Sequence, residues 1–513
     1  MFESAKWIWI DENPVDAFQI CYFRKKFIVG KKGSYLIHCF ADSKYRLWIN
    51  GKYIGFGPAR GKAYRPYYDT YRINLKEGEN VIAFSVQYYC QPTKIFESIE
   101  PGLICQIESE GNTILVSDSS WKACVAKSYS CVPGIFFPEC FDARLEQKNW
   151  QQLSFDDSEW KNAMEKEFSD LPKPENFLPR PIPLIKEKVV VPQRILDIYE
   201  CTTENIQEFL DKEKIAETLW SAKKLETKVS VEPEIKIPCR WKKNLAFTLE
   251  GQQAICVIVD FGFETHAFIE ICAEGPSGTM IDFAHSECLW NNKVATLWQS
   301  PSLKQAQRII LGNGKVCHRT NQQRGFRYMV VRIFNPADTK INVTLHSIAG
   351  YEAIYPAKKQ GCFQCSDKLF EQIYNLSART VNLCMEDTYT DCPWRERSQW
   401  VGDAQPEAIV NYYCFGAWEL SKKAVLEFTS GNTQDGWIPG VCPGKRASNL
   451  PTWGMRIPVI VWEYYLFTGN FETLKNAYPG VKKQMEWLLK HTDSDGFFDI
   501  KTGWNFVDWT SLD

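Results

Sequence analysis

The sequence predicts a multidomain β + α protein, in which two β-sandwich domains are followed by an all-α domain. Three observations predict it. Apolar and polar residues alternate with a period of two through most of residues 1–350. The stretch "LPKPENFLPRPIPL" then divides that β-rich region, with five prolines from Pro172 to Pro183. Near residue 356 the apolar period changes from two to 3.6.

Residues 1–170 read as the first sandwich. "YRLWINGKYIGFG" alternates and turns at Asn50-Gly51, a dipeptide that tolerates positive φ at both centres of a tight hairpin. "YRINLKEGENVIAFSVQYY" repeats the pattern, with Gly78 in the turn. Residues 171–183 read as an extended linker, because proline locks φ and removes N–H donors. Residues 184–352 read as the second sandwich. "ICVIVDFGFETHAFIEICAEGPSGTMIDFAHSE" supplies three strand-like runs, and "GFRYMVVRIF" and "INVTLHSIAGY" supply closing strands. A short surface helix fits the more charged stretch 199–225.

Residues 353–513 read as helical. Ser366 stands where an N-cap belongs, before a stripe of Leu369, Phe370, Ile373, Tyr374 and Leu376. Further helical runs cover about 405–430, 456–468 and 471–491, the second ending at Gly469-Asn470.

Composition narrows the function. Net charge is -2 with no long basic run, so neither a nucleic-acid footprint nor a polybasic membrane patch is present. No apolar run reaches bilayer length and no secretory leader is visible, so a cytoplasmic location is expected. Nineteen cysteines are scattered through core-like contexts, which fits reduced thiols better than a disulfide framework. One CxxC, Cys362 to Cys365, lacks a second pair at zinc spacing, and the six histidines form no metal motif. No metal and no cofactor are expected. Nineteen tryptophans, 22 tyrosines and 31 phenylalanines serve core packing first, with some available to stack on sugar rings.

The chemistry concentrates in "DCPWRERSQWVGDAQ", residues 391–405. Were the stretch helical after Pro393, Glu396, Trp400 and Asp403 would share one face at i, i+4 and i+7, with Asp391 at the entry. An arginine near a carboxylate, Arg395 or Arg397, would lower that group's pKa. Spacing alone fits two readings, an ion-paired surface helix with a buried indole or an acid beside a sugar-stacking ring.

The string Asp391-Cys392-Pro393-x-Arg395-Glu396-Arg397-x-x-Trp400-x-Gly402-Asp403 resembles the signature of bacterial α-L-rhamnosidases, glycoside hydrolase family 78. "YRLWINGKYIGFGP" and "FDDSEW" are similar to that family's N-terminal sandwich, and "VDFGFETHAFIEICAEGPSGTMIDFAHSE" with "GFRYMVVRIF" to its second. "GCFQCSDKLFEQIY" is similar to the opening of its helical toroid, so the resemblance covers essentially the whole chain. It implies two sandwiches followed by an incomplete (α/α)6 toroid, and removal of terminal α-L-rhamnose from glycosides or oligosaccharides with inversion. It implies Glu396 as general acid, with Asp391, Arg395, Trp400 and Asp403 lining the sugar pocket. Such an acid must keep its proton near neutrality, with Asp391 or Asp403 as the raising neighbour and the arginines opposing. "QDGWIPG", "PTWGMRIP" and "GWNFVDW" are similar to cleft-lining toroid loops, which makes Trp437, Trp453, Trp504 and Asp508 further candidate sugar contacts.

Two departures qualify the resemblance. The family's base is a late toroid glutamate, so it is expected beyond residue 513, while Glu407 and Glu463 read as solvated helix-face charges. Met455 and Arg456 stand where many members carry an acid, which leaves open a different sugar specificity. A catalytically incomplete sugar-binding fragment is the other alternative. A half-toroid exposing an apolar face would also favour a homodimer or aggregation.

Overall fold

A computed structural model describes residues 1–11, 17–132, 138–167, 172–225, 244–297, 304–444 and 450–498. The N-terminal region contains two mostly antiparallel sheets, one of seven strands and one of six. Alternation explains them. The inward residues of Phe18–Val29, Gly33–Asp42 and Gly78–Tyr89 meet in one core that includes Phe23, Ile37, Leu47, Phe84, Leu103 and Trp121. Asn50 and Gly51 both take positive φ, 50° and 76°, as the hairpin between Lys44–Ile49 and Lys52–Gly57 requires.

The Pro-rich stretch, read as an extended linker, is docked on the first sandwich. Leu178–Pro179 adds a short parallel strand beside Tyr67–Leu75, and Arg180 turns its side chain inward, the guanidinium 3.0 Å from Asp69. Tyr129–Cys131 and Glu139–Asp142, inside the stretch assigned to the first sandwich, join the next sheet instead, through Ala306–Ile310.

That next sheet has twelve strands and folds over itself. Its axis is Ala254–Glu274, 21 residues long, which shifts register between Asp260 and Thr265. Gly262 lies in that shift at φ 82°, where glycine carries no Cβ penalty. Before the bend the strand pairs with Arg194–Thr202, beyond it with Lys315–Arg319 and Ile341–Glu352, and Arg324–Phe334 pairs with it across the bend. The two halves enclose Val257, Val259, Ile269, Ile271, Val331 and Val343. Helix α1 (Ile215–Ser221) covers the other face with Ile215, Ala216 and Leu219. One correction concerns the thiols: Cys272 and Cys317, directly paired across neighbouring strands, form a disulfide.

From residue 368 six helices follow among the described residues: α2 (Lys368–Cys384), α3 (Val401–Cys414), α4 (Trp418–Thr429), α5 (Pro451–Gly454), α6 (Ile457–Thr468) and α7 (Phe471–Lys490). The run expected over 405–430 is two helices, broken at Gly416 with φ 63°. Asp367, not Ser366, caps α2, accepting from the Leu369 N–H at 2.8 Å. The predicted α2 stripe is not core. Leu369 and Leu376 are 59% and 67% exposed, because α2 buries only its C-terminal half, Ala378, Leu383 and Cys384. The helical core does contain Ala59 and Ile182 from the N-terminal region, so the helices are seated on the first sandwich.

Candidate active site

The expected helix after Pro393 is absent, and Glu396 lies in a loop. Residues 391–399 close on themselves: the Asp391 N–H donates to the Ser398 carbonyl at 3.0 Å, and the Ser398 N–H to Asp391 Oδ1 at 2.9 Å. The Cys392 sulfur accepts from the Glu396 N–H, and Arg397 takes a left-handed φ of 55°. Tertiary contacts outweigh helix propensity here. Gly325 donates to the Pro393 carbonyl at 2.7 Å, an approach so close that a Cβ would sit 2.6 Å from the Pro393 carbonyl carbon. Gln305 Nε2 donates to the Trp394 carbonyl at 3.1 Å. Helix α3 begins only after Trp400, its N-cap, with the Val401 N–H on the Gly440 carbonyl.

This loop and the first turn of α3 still bring the predicted groups together. Arg395 donates to Glu396 Oε1 at 2.8 Å, and Trp400 Nε1 to Glu396 Oε2 at 3.0 Å. Trp453 Nε1 donates to Asp403 Oδ2 at 3.0 Å, and its indole lies against Gly402. Burial, then the charge of Glu396, pushes the Asp391 carboxyl up to about 7. Trp437 lies deeper, 1% exposed, against Trp487 at 4.4 Å between ring centroids. Trp504 and Asp508 lie outside the described residues.

Glu407 is not the solvated charge its sequence suggested. It is buried on α3, and burial, then Asp403 and Asp391, raises its carboxyl well above the ordinary range. Glu463 is half-buried and accepts from Gln405 at 3.2 Å.

Three groups escaped the sequence reading. Lys94 Nζ lies 3.5 Å from Glu396 Oε2 and 5.6 Å from the centre of the Trp400 ring. Glu386 receives Arg397 on both oxygens, at 3.0 and 2.7 Å. Arg60 donates to Asp387, to Glu386 and to the Arg397 carbonyl at 2.8, 3.1 and 2.6 Å. Burial alone would raise Glu386, yet Arg397, His266 and Arg60 outweigh it and hold the carboxyl down to about 2. A separate cleft of about 370 Å³ lies between the sandwiches, lined in part by Tyr22, Trp48, Glu146 and Trp150. Glu146 there already accepts from Tyr22 and Ser128.

Sandwich, bent sheet, helices and acid loop together are the architecture of a multidomain six-hairpin glycosidase. Three family models match consecutive segments: the α-L-rhamnosidase N-terminal domain over 36–182, the bacterial α-L-rhamnosidase concanavalin-like domain over 252–350, and the six-hairpin glycosidase domain of bacterial α-L-rhamnosidase over 358–513. An α-L-rhamnosidase of Formosa agariphila is 23% identical over 97% of this chain and 50% of its own length. The family 78 rhamnosidase of Bacillus sp. GL1 shares the fold, with TM-score 0.86 and 21% identity over 99% of this chain and 71% of that one. The Streptomyces avermitilis α-L-rhamnosidase, solved with L-rhamnose, gives 0.66 and 19% over 93% and 42%. The chain belongs to the bacterial α-L-rhamnosidase family, glycoside hydrolase family 78. It spans about half the length of the curated relatives it matches first.

Proposed function

We propose that this chain carries the acid side of an exo-acting, inverting α-L-rhamnosidase, with Glu396 as general acid. The observation that supports it is the hydrogen-bonded cluster in which Arg395 and Trp400 both donate to the Glu396 carboxyl, with the Trp453–Asp403 pair on the first turn of the helix that follows. Glu396 delivers its proton to the glycosidic oxygen as the bond to the anomeric carbon breaks. Water attacks the opposite face, activated by a carboxylate about 6.5–9.5 Å away, which inversion requires. Glu407 suits the task poorly, because burial, then Asp403 and Asp391, raise its carboxyl well above the ordinary range and disfavour the ionised form a base needs. Trp400 and Trp453 offer apolar faces to the ring and its C5 methyl, while Asp391 and Asp403 accept from its hydroxyls. The helices belong, in this reading, to an (α/α)6 toroid.

A different sugar is the second reading, favoured by Met455 and Arg456, the latter bonded to Gln405 at 2.7 Å. The test is a panel of 4-nitrophenyl glycosides, with proton NMR of the first sugar anomer released. Rhamnose leaving as the inverted anomer bears out the proposal. Release of another sugar selects the second reading. Rhamnose binding without turnover marks an incomplete catalyst.

A further inference from the structure

We infer that the first β-sandwich supplies the positioning residues of the acid, Lys94 holding the Glu396 carboxyl and Arg60 holding the loop that carries it. The inference rests on the reading of Glu396 as general acid.

Lys94 sits in the connection between strands Gly78–Tyr89 and Gly102–Ser109. That connection is a tied turn. Thr93 N–H donates to the Phe96 carbonyl at 3.0 Å, and Thr93 Oγ1 accepts from the Ile95 and Phe96 N–H groups. Ile95 and Phe96 are buried beneath it, and the Ile99 N–H is anchored on Asp42. The turn is also seated on the helical domain. Glu97 takes Lys62 at 3.0 Å and the Gly444 N–H at 3.4 Å, and a Cβ on Gly444 would meet the Lys94 carbonyl at 2.2 Å. With its backbone fixed on two sides, Lys94 extends a half-exposed side chain onto Glu396 and Trp400. Arg395 and Trp400 come from the acid's own segment. Among the described residues, Lys94 is the donor to the carboxyl that comes from another part of the fold.

Arg60 works one layer below. Its side chain is buried, and it reaches the carbonyl of Arg397, the residue after the acid, while holding Asp387 and Glu386. Arg397 has a left-handed φ, which a non-glycine residue keeps only where its surroundings enforce it. The Arg60 guanidinium and the two-pronged Arg397–Glu386 pair are that enforcement.

The test compares Lys94→Met and Lys94→Arg with the parent 513-residue chain. Three quantities are read: amidation of Glu396 by a water-soluble carbodiimide, kcat and KM on 4-nitrophenyl α-L-rhamnopyranoside, and Tm. Loss of the ammonium should raise Glu396 labelling about three-fold, the scale of an exposed ion pair. It should lower kcat about ten-fold, with KM within about two-fold and Tm unmoved, as expected for a misplaced acid. Lys94→Arg should restore both. Glu396 labelling and kcat at parent values in Lys94→Met would overturn the inference. Labelling that responds to Lys94 in a chain that neither binds nor turns over rhamnoside would leave the contact standing and remove the rhamnosidase reading instead.

Discussion

Two pairs of carboxyls between residues 386 and 407 have opposite electrostatics. Glu386 and Asp387 are met by Arg60, Arg397 and Lys423, which outweigh burial and hold both well below the usual carboxylate range. Asp391 and Glu407 have carboxylates rather than cations as their charged neighbours, and burial pushes both up. The difference assigns their work. Paired acids tie the first sandwich to the helical domain, and a charge so tied has little left to offer a ligand. Asp391, held by the Ser398 N–H and the Cys392 thiol, meets no counter-charge among the described residues. It and Glu407 are the acids whose ionised forms the site disfavours, which leaves them to a proton or a sugar hydroxyl.

The comparison breaks most visibly at Arg60. Arg60→Met leaves two buried carboxylates short of a partner and should destabilise by about 3–5 kcal/mol, read by urea unfolding. A loss below about 1 kcal/mol would show that the pairs are ornamental. Acid pH tests the same side. Because the folded pKa of Glu386 is depressed to about 2, its contribution is present above the ordinary carboxyl range and lost as pH falls through 2. The Tm of the parent should therefore fall towards that of Glu386→Gln between about pH 4.5 and 2.

Asp391 carries the opposite sign. Its folded pKa is raised from 3.8 to about 7, so ionisation penalises the fold, with no penalty below about pH 4 and the full one above 7. Asp391→Asn should gain Tm over the parent by about 2 °C or more on going from pH 4 to 8. An advantage that shrinks with pH would contradict the assignment. Glu407→Gln gives the smallest effect. A neutral amide replaces a carboxyl whose protonated form burial favours, so stability at pH 7 should stay within about 0.5 kcal/mol.

What could be read from the sequence was local. The Asn50-Gly51 hairpin and the end of α6 at Gly469, with φ 64°, are written in a few adjacent residues. The residue types around Glu396 were legible as well, through their resemblance to a family signature. The loop form was not, because Pro393 suits a helix start and only distant contacts from Gly325, Gln305 and Arg60 prevent it. Lys94 lies 302 positions from Glu396, and nothing around it marks a partner. The α2 stripe failed differently: a period of 3.6 says that one face is apolar, not that anything in this structure covers it.

The most direct measurement is turnover of 4-nitrophenyl α-L-rhamnopyranoside by the parent chain beside Glu396→Gln, with L-rhamnose affinity measured on both. The account predicts that rhamnose affinity stays within a few-fold between the two, and that whatever turnover the parent shows falls about 10³-fold in Glu396→Gln. A Glu396→Gln chain that turns over at the parent rate would contradict it, and would move the acid to another carboxyl.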